Sequence, residues 1–117
     1  KKNEPKLFPG ILVVDREAFG KEGDSVSIVK TIWKSHVNRL VIARKSDTHA
    51  IVGYAAYLSN ERDNSIYLMR IAVRAKCQRH GIGKLLLNHL TQLAQKVSLD
   101  VSTDNSRAIG FYTKMGL

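Results

Sequence analysis

Two rhythms of apolar residues run along the chain. Val26, Ile28, Val29, Ile32, Trp33 and Val37 recur at near-helical spacing, with Asp24 or Ser25 placed to cap the segment. Ile82, Leu85, Leu86, Leu90, Leu93, Ala94 and Val97 define a second, broader helical face, with Asn88, Thr91, Gln92, Gln95 and Lys96 left for solvent. Between and around these lie short apolar or alternating runs that predict strands: Ile11–Val14, Leu40–Ala43, Ile51–Leu58, Ile66–Val73 and Val97–Val101. Pro9-Gly10 and Asp15 bound the first run, and Arg16–Gly20 after it reads as a helical turn. Ser46–His49 reads as a hairpin turn and Asn60–Asn64 as a polar turn. Gly53, inside a strand, predicts a bulge or the close approach of another backbone. Asn105–Lys114 reads as a last helix. The expected order is β-α-α-β-β-β-α-β-α, an α/β fold with a mixed sheet in which hairpin strands precede a crossover.

At 117 residues the chain is expected to form a single domain, 1–117. Hydrophobic residues make up 44% and charged residues 25%, which places it among globular proteins rather than disordered ones. No run approaches the roughly 18 to 20 apolar residues of a membrane span. Cys77 is the single cysteine, and no Cys/His cluster has zinc spacing, so the expectation is a reducing, cytoplasmic setting with no metal.

Charge sharpens this picture. The net charge is +9, and no acidic residue falls from Asn64 to Leu99, where Arg70, Arg74, Lys76, Arg79, Lys84 and Lys96 all lie. Inside that run, Cys77-Gln78-Arg79-His80-Gly81-Ile82-Gly83-Lys84 joins a predicted strand to a predicted helix. The first-turn N–H groups of a helix have no intrahelical acceptor, and the helix dipole adds partial positive charge there. Gly81 and Gly83 let a ligand come close to the backbone, and Arg79 and Lys84 add full charges, which is the chemistry of a phosphate site. A Walker A loop requires Ser or Thr after Gly-Lys, and here Leu85 follows Lys84. A dinucleotide fingerprint requires a third glycine and a matching βαβ opening, and both are missing.

Gln78-Arg79-His80-Gly81-Ile82-Gly83 resembles the Gln/Arg-x-x-Gly-x-Gly/Ala motif of the GNAT acyl-CoA N-acetyltransferases. Leu68–Val73 looks like that family's fourth strand, which leads into the motif. Leu99-Asp100-Val101, Asn105, Ala108-Ile109, Phe111-Tyr112 and Met115-Gly116-Leu117 resemble the block after it, in the register of the RimI-like branch that acetylates protein N-termini. The resemblance covers about residues 8 to 117 and is strongest from 66 onward.

The resemblance implies a GNAT fold, acetyl-CoA as co-substrate and transfer of acetyl to a primary amine. It implies that backbone groups of Ile71, Ala72 and Val73 bond the pantetheine arm and acetyl carbonyl. Backbone amides from Gln78, Arg79, His80, Gly81, Ile82, Gly83 and Lys84 would cradle the pyrophosphate, with Asn105 as a further cofactor contact. Tyr112 stands where the family places its acid for the departing thiolate. A phenol of pKa about 10 stays protonated at neutral pH and can donate. Asp100 falls where the RimI-like branch carries a glutamate, as base directly or through a water. Other branches place a glutamate early in the fourth strand, where this chain has Tyr67. An α-amine of pKa about 8 deprotonates more readily than a lysine of about 10.4, so a weak base favours a protein N-terminal amine as acceptor.

Asp15, Glu17, Glu22 and Asp24 crowd the segment where acceptor-side elements are expected, and could draw in a cationic amine. Cys77 lacks a His–Asp pair to activate it as an acyl carrier. Family members continue beyond the position of Leu117 into one or two further strands, so the chain is expected to be incomplete there. A homodimer through an open sheet edge is then an alternative to a monomer. Aromatic residues are 7% and are not interleaved with basic ones, which disfavours a nucleic-acid partner. The helix after Gly81 carries only Lys84 and Lys96 as formal charges, too few for a membrane-surface helix. A GNAT-like domain that binds acyl-CoA without turnover is the remaining alternative.

Overall fold

The computed structural model describes residues 7–20, 24–78, 80–99, 109, 110, 112 and 113. Its elements are α1 (Leu7–Phe19), α2 (Ser25–Lys34), β1 (Asn38–Arg44), β2 (Ile51–Asn60), β3 (Ser65–Val73), a short 3-10 turn (Ala75–Cys77), α3 (Ile82–Leu93) and β4 (Lys96–Leu99). The strands form one sheet in the order β1-β2-β3-β4. The first two pairings are antiparallel and β3–β4 is parallel, the pair that needs a helical crossover, here α3.

The run Ile11–Val14, expected as a first strand, is helical and merges with Arg16–Phe19 into α1. Leu7, Ile11, Val14 and Asp15 are its buried residues, and their spacing follows a helical face. Four consecutive apolar residues do not separate strand from helix, and the longer repeat decides. Pro9 is tolerated because it lies in the first helical turn, where its missing N–H has no intrahelical acceptor to lose. Gly10 lies so close to Ile51 that an added Cβ would stand 2.7 Å from its Cδ1.

The other elements up to Leu99 agree with their predicted positions, apart from the ends of two helices. Of the expected last helix Asn105–Lys114, only residues 109, 110, 112 and 113 are described, and they are helical, while Asp100 and Val101 of the last expected strand lie outside the described residues. α2 stops at Lys34, which leaves Val37 exposed. α3 stops at Leu93, after which Ala94 is extended and Gln95 N–H donates to the Asn64 carbonyl, turning the chain into β4. Ser46–Thr48 and Glu61–Asn64 form the two expected turns.

Each face of the sheet carries its own apolar cluster. Leu7, Ile11 and Val14 of α1 and Val29 and Ile32 of α2 pack with Leu40, Tyr54, Ala56 and Ala72. Phe8 and Trp33 meet edge to face beside this cluster, with ring centroids 5.7 Å apart. On the opposite face Leu87 and Leu90 of α3 pack with Ala55, Ile66 and Leu68, flanked by Val41, Ile71, Val97 and Tyr112. Alternation along β2, with Tyr54 and Ala56 on one face and Ala55 on the other, sends successive side chains into the two clusters.

Candidate functional site

The site begins at an irregularity in β3. Leu68 pairs with Tyr57 and Arg70 pairs with Ala56, so Met69 is one residue more than β2 supplies. The extra residue reverses the facing of the strand. Before it, Ile66 and Leu68 belong to the α3 face; after it, Ile71 takes that face and Ala72 the α1 face. Among the described residues, pairing with β4 runs from Ser65–Lys96 to Leu68–Leu99 and ends where the bulge begins. β2 remains paired to Arg70, Ile71, Ala72 and Val73 on their other side. The stretch Ile71–Val73 therefore lies beyond the last described β4 pair.

Val73 leads into Arg74, the 3-10 turn, the extended residue Gln78, and then His80 and Gly81. Gln78 Nε2 donates to the Val73 carbonyl at 3.0 Å, closing the turn on itself. Gly81 is the N-cap of α3 at φ 82°, and among the described residues, its chain neighbours aside, no atom lies within 4 Å of where its Cβ would stand. This left-handed conformation suits glycine. Ile82, Gly83 and Lys84 supply the first-turn N–H groups, and that turn holds no acidic residue. His80 and Lys84 are exposed, and Arg79 lies outside the described residues.

Gly53 sets the helix start against the sheet. A Cβ there would stand 3.1 Å from Ile82 Cγ2, 3.2 Å from the Ala72 carbonyl oxygen and 3.3 Å from Leu86 Cδ1. Both features expected for this glycine occur: the β1–β2 register shifts beside it, leaving Val52 unmatched, and the neighbouring backbone at the Ala72 carbonyl comes close, together with the side chains of the first turns of α3.

The carboxylates of α1 do other work than attracting an amine. Asp15 is fully buried and accepts two hydrogen bonds from Arg70, Nε to Oδ1 and Nη2 to Oδ2, both 2.8 Å, and one from the Tyr54 hydroxyl. Burial alone would raise its pKa, but the hydrogen bonds and the charge of Arg70 outweigh it and hold the carboxyl below its ordinary value. Burial and the neighbouring carboxylate push the Tyr54 phenol far above its ordinary range. The Arg70 guanidinium also lies 3.9 Å from the Phe19 ring centroid. Glu17 accepts from Arg74 and from the Ala75 N–H, and the bond from Arg74 is the chief reason its pKa falls. Asp15 and Glu17 are thus committed to arginines, Asp24 is the exposed N-cap of α2, and Glu22 lies outside the described residues.

Tyr112 is half-buried against the Leu87/Leu90 cluster that Ile71 also joins, and burial raises its pKa above the usual phenol value. Asp100 and Asn105 lie outside the described residues. Cys77 is a partly buried free thiol at the end of the 3-10 turn. No group of three metal-ligating side chains occurs among the described residues, and no described helix is long and apolar enough to cross a membrane.

Sequence reasoning missed the Asp15–Tyr54–Arg70 cluster and the Met69 bulge. The bulge left one trace: apolar alternation at Ile66 and Leu68 breaks at Arg70 and resumes out of phase at Ile71. The cluster left no local trace, because its members lie 39 and 55 residues apart.

Comparison with known proteins shows the family and the fold. The model of the acetyltransferase (GNAT) family matches residues 11–117. A peptidyl-lysine N-acetyltransferase of Salmonella typhimurium is 47% identical over 36 residues, which are 31% of this chain and a quarter (25%) of that protein. Among solved structures, the ribosomal-protein-S18-alanine N-acetyltransferase of Escherichia coli superimposes with a TM-score of 0.74 at 20% identity, over 97% of this chain and 72% of that one. An aminoglycoside acetyltransferase from an uncultured soil metagenomic sample, in complex with sisomicin, gives 0.75 at 20% identity, over 97% and 81%. An aminoglycoside N-acetyltransferase in complex with CoA gives 0.70 at 13% identity, over 94% and 80%. These likenesses concern the fold.

Proposed function

The chain belongs to the GNAT acetyltransferase family, and from that premise we propose that it transfers acetyl from acetyl-CoA to a primary amine. One observation carries this reading: the strand segment Ile71–Val73, past the last described β4 pair, runs into the glycine-capped start of α3. An extended pantetheine arm matches the first feature. A diphosphate matches the second, because it needs several converging N–H donors. The proposed cofactor residues are Ile71, Ala72 and Val73 along the arm, Gln78 to Lys84 around the diphosphate, and Asn105.

The chemistry is direct attack. The amine nitrogen forms a bond to the thioester carbonyl carbon, and a proton leaves the nitrogen for Asp100 or a water it holds. The C–S bond then breaks, and the Tyr112 hydroxyl donates its proton to the CoA sulfur. Burial of the Tyr112 phenol supports this role, since its proton is retained until the thiolate forms beside it. No metal enters the scheme.

The proposed acceptor is a protein or peptide N-terminal α-amine, as expected of a RimI-like enzyme with a weak base. A lysine side chain is the second reading, favoured by the 36-residue match to a peptidyl-lysine N-acetyltransferase. Calorimetry with acetyl-CoA, followed by CoA-thiol release across N-terminal peptides, lysine peptides, polyamines and aminoglycosides, tests both. Micromolar binding with turnover on N-terminal peptides is the expected result. Binding without turnover on any amine would identify an acyl-CoA-binding domain instead.

A further inference from the structure

We infer that Glu17 is a positioning residue for the phosphate-binding turn, acting through Arg74 and the Ala75 amide. This rests on the acetyl-CoA reading and adds to it a part played by α1. The segment between β3 and α3 has little of its own to hold it: no residue of the 3-10 turn Ala75–Cys77 is buried. Its course must still be set, because it delivers Gly81 and the first turn of α3 to the end of β3.

The Glu17 carboxylate engages this segment with both oxygens. Oε2 accepts from Arg74 Nε at 3.0 Å and Nη2 at 2.7 Å, while Oε1 accepts from the Ala75 N–H at 3.1 Å. Arg74 N–H donates to the Val52 carbonyl and the Cys77 N–H to the Arg74 carbonyl, so fixing Arg74 fixes both the strand end and the turn. Glu17 is itself held in place, since Asp15 two residues earlier on α1 is clamped to Arg70 four residues before Arg74. One consequence concerns the basic run. Arg74 is committed to Glu17, and its part is to shape the turn while backbone amides meet the phosphates.

The test compares CoA with pantetheine, which lacks the diphosphate. Binding of CoA is read by calorimetry and of pantetheine by NMR titration, with thermal melting as a control for folding. Glu17→Ala should weaken CoA about tenfold, the size of one lost charge-assisted anchor, and leave pantetheine within about twofold. Glu17→Gln keeps an acceptor for the Ala75 N–H and should fall between. Arg74→Gln should match Glu17→Gln, and the double variant should be no worse than either, since both break one contact. Should Glu17→Ala fail to fold, the Gln variants carry the same comparison. Unchanged or tighter CoA binding in the variants overturns the inference and leaves the cofactor reading standing. Equal losses for CoA and pantetheine overturn it as well. Absence of CoA binding by the unaltered chain removes the cofactor reading itself, and this inference with it.

Discussion

Asp15 on α1 and Arg70 on β3, 55 residues apart in the chain, meet in a two-point ion pair on the residue that follows the Met69 bulge. The last described β4 pair, Leu68–Leu99, lies just before the bulge, and the ion pair holds α1 against β3 just after it. Asp15→Asn should therefore cost about 3 kcal/mol, the lower end of the range for a broken buried pair, because Arg70 keeps some contact with water. Chemical denaturation with urea measures it. A loss below about 0.5 kcal/mol would assign the clamp no structural weight.

The same pair sets an acid limit. The native pKa of Asp15 lies below its ordinary value of 3.8, so its contribution is complete above that value and is lost as pH falls through the lower native one. Melting temperature should fall as pH drops below about 4. Asp15→Asn, already less stable, should show a shallower slope there. Parallel curves for the two proteins would show that other carboxylates govern acid unfolding.

Gly53 and Gly81 should fail for different reasons when substituted. Gly53 lacks room: Ile82, Leu86 and the Ala72 carbonyl crowd its Cβ position. Gly53→Val should cost about 1–3 kcal/mol and, by pushing the start of α3 outward, weaken CoA. Gly81 has room but holds φ at 82°. Gly81→Ala should cost about 1–2 kcal/mol by backbone strain alone. Calorimetric CoA titrations beside melting curves check both, and an unaffected Kd in both variants would detach this turn from the cofactor.

Tyr112→Phe should lower kcat by about 10²-fold, the usual scale for a lost general acid, with the KM for acetyl-CoA within about twofold. Burial raises the phenol's pKa above 10, so the proton is present throughout neutral pH. Loss of activity through Tyr112 ionisation should begin only above about pH 10. Initial rates from pH 6 to 10.5 locate that limb. Full turnover by the phenylalanine variant would remove Tyr112 from the chemistry.

Local patterns in the chain were enough for the three hairpin-linked strands, both amphipathic helices and the glycine turn. Each depends on interactions within a few residues: alternation along β2, helical spacing from Ile82 to Leu93, and φ above zero at Gly81. Motif and spacing also carried the resemblance to the GNAT family, which the match over residues 11–117 bears out. Tertiary structure decided what local pattern left open. Ile11–Val14 became helix because its buried positions match one face of a longer repeat that packs on the sheet. Asp15 and Glu17 became partners of Arg70 and Arg74 because folding brings α1 across the end of β3. Burial makes an unpaired Asp15 carboxylate costly, and its partner comes from far along the chain. The Met69 bulge arises from the count of residues in two strands paired across a turn, a quantity no single segment contains.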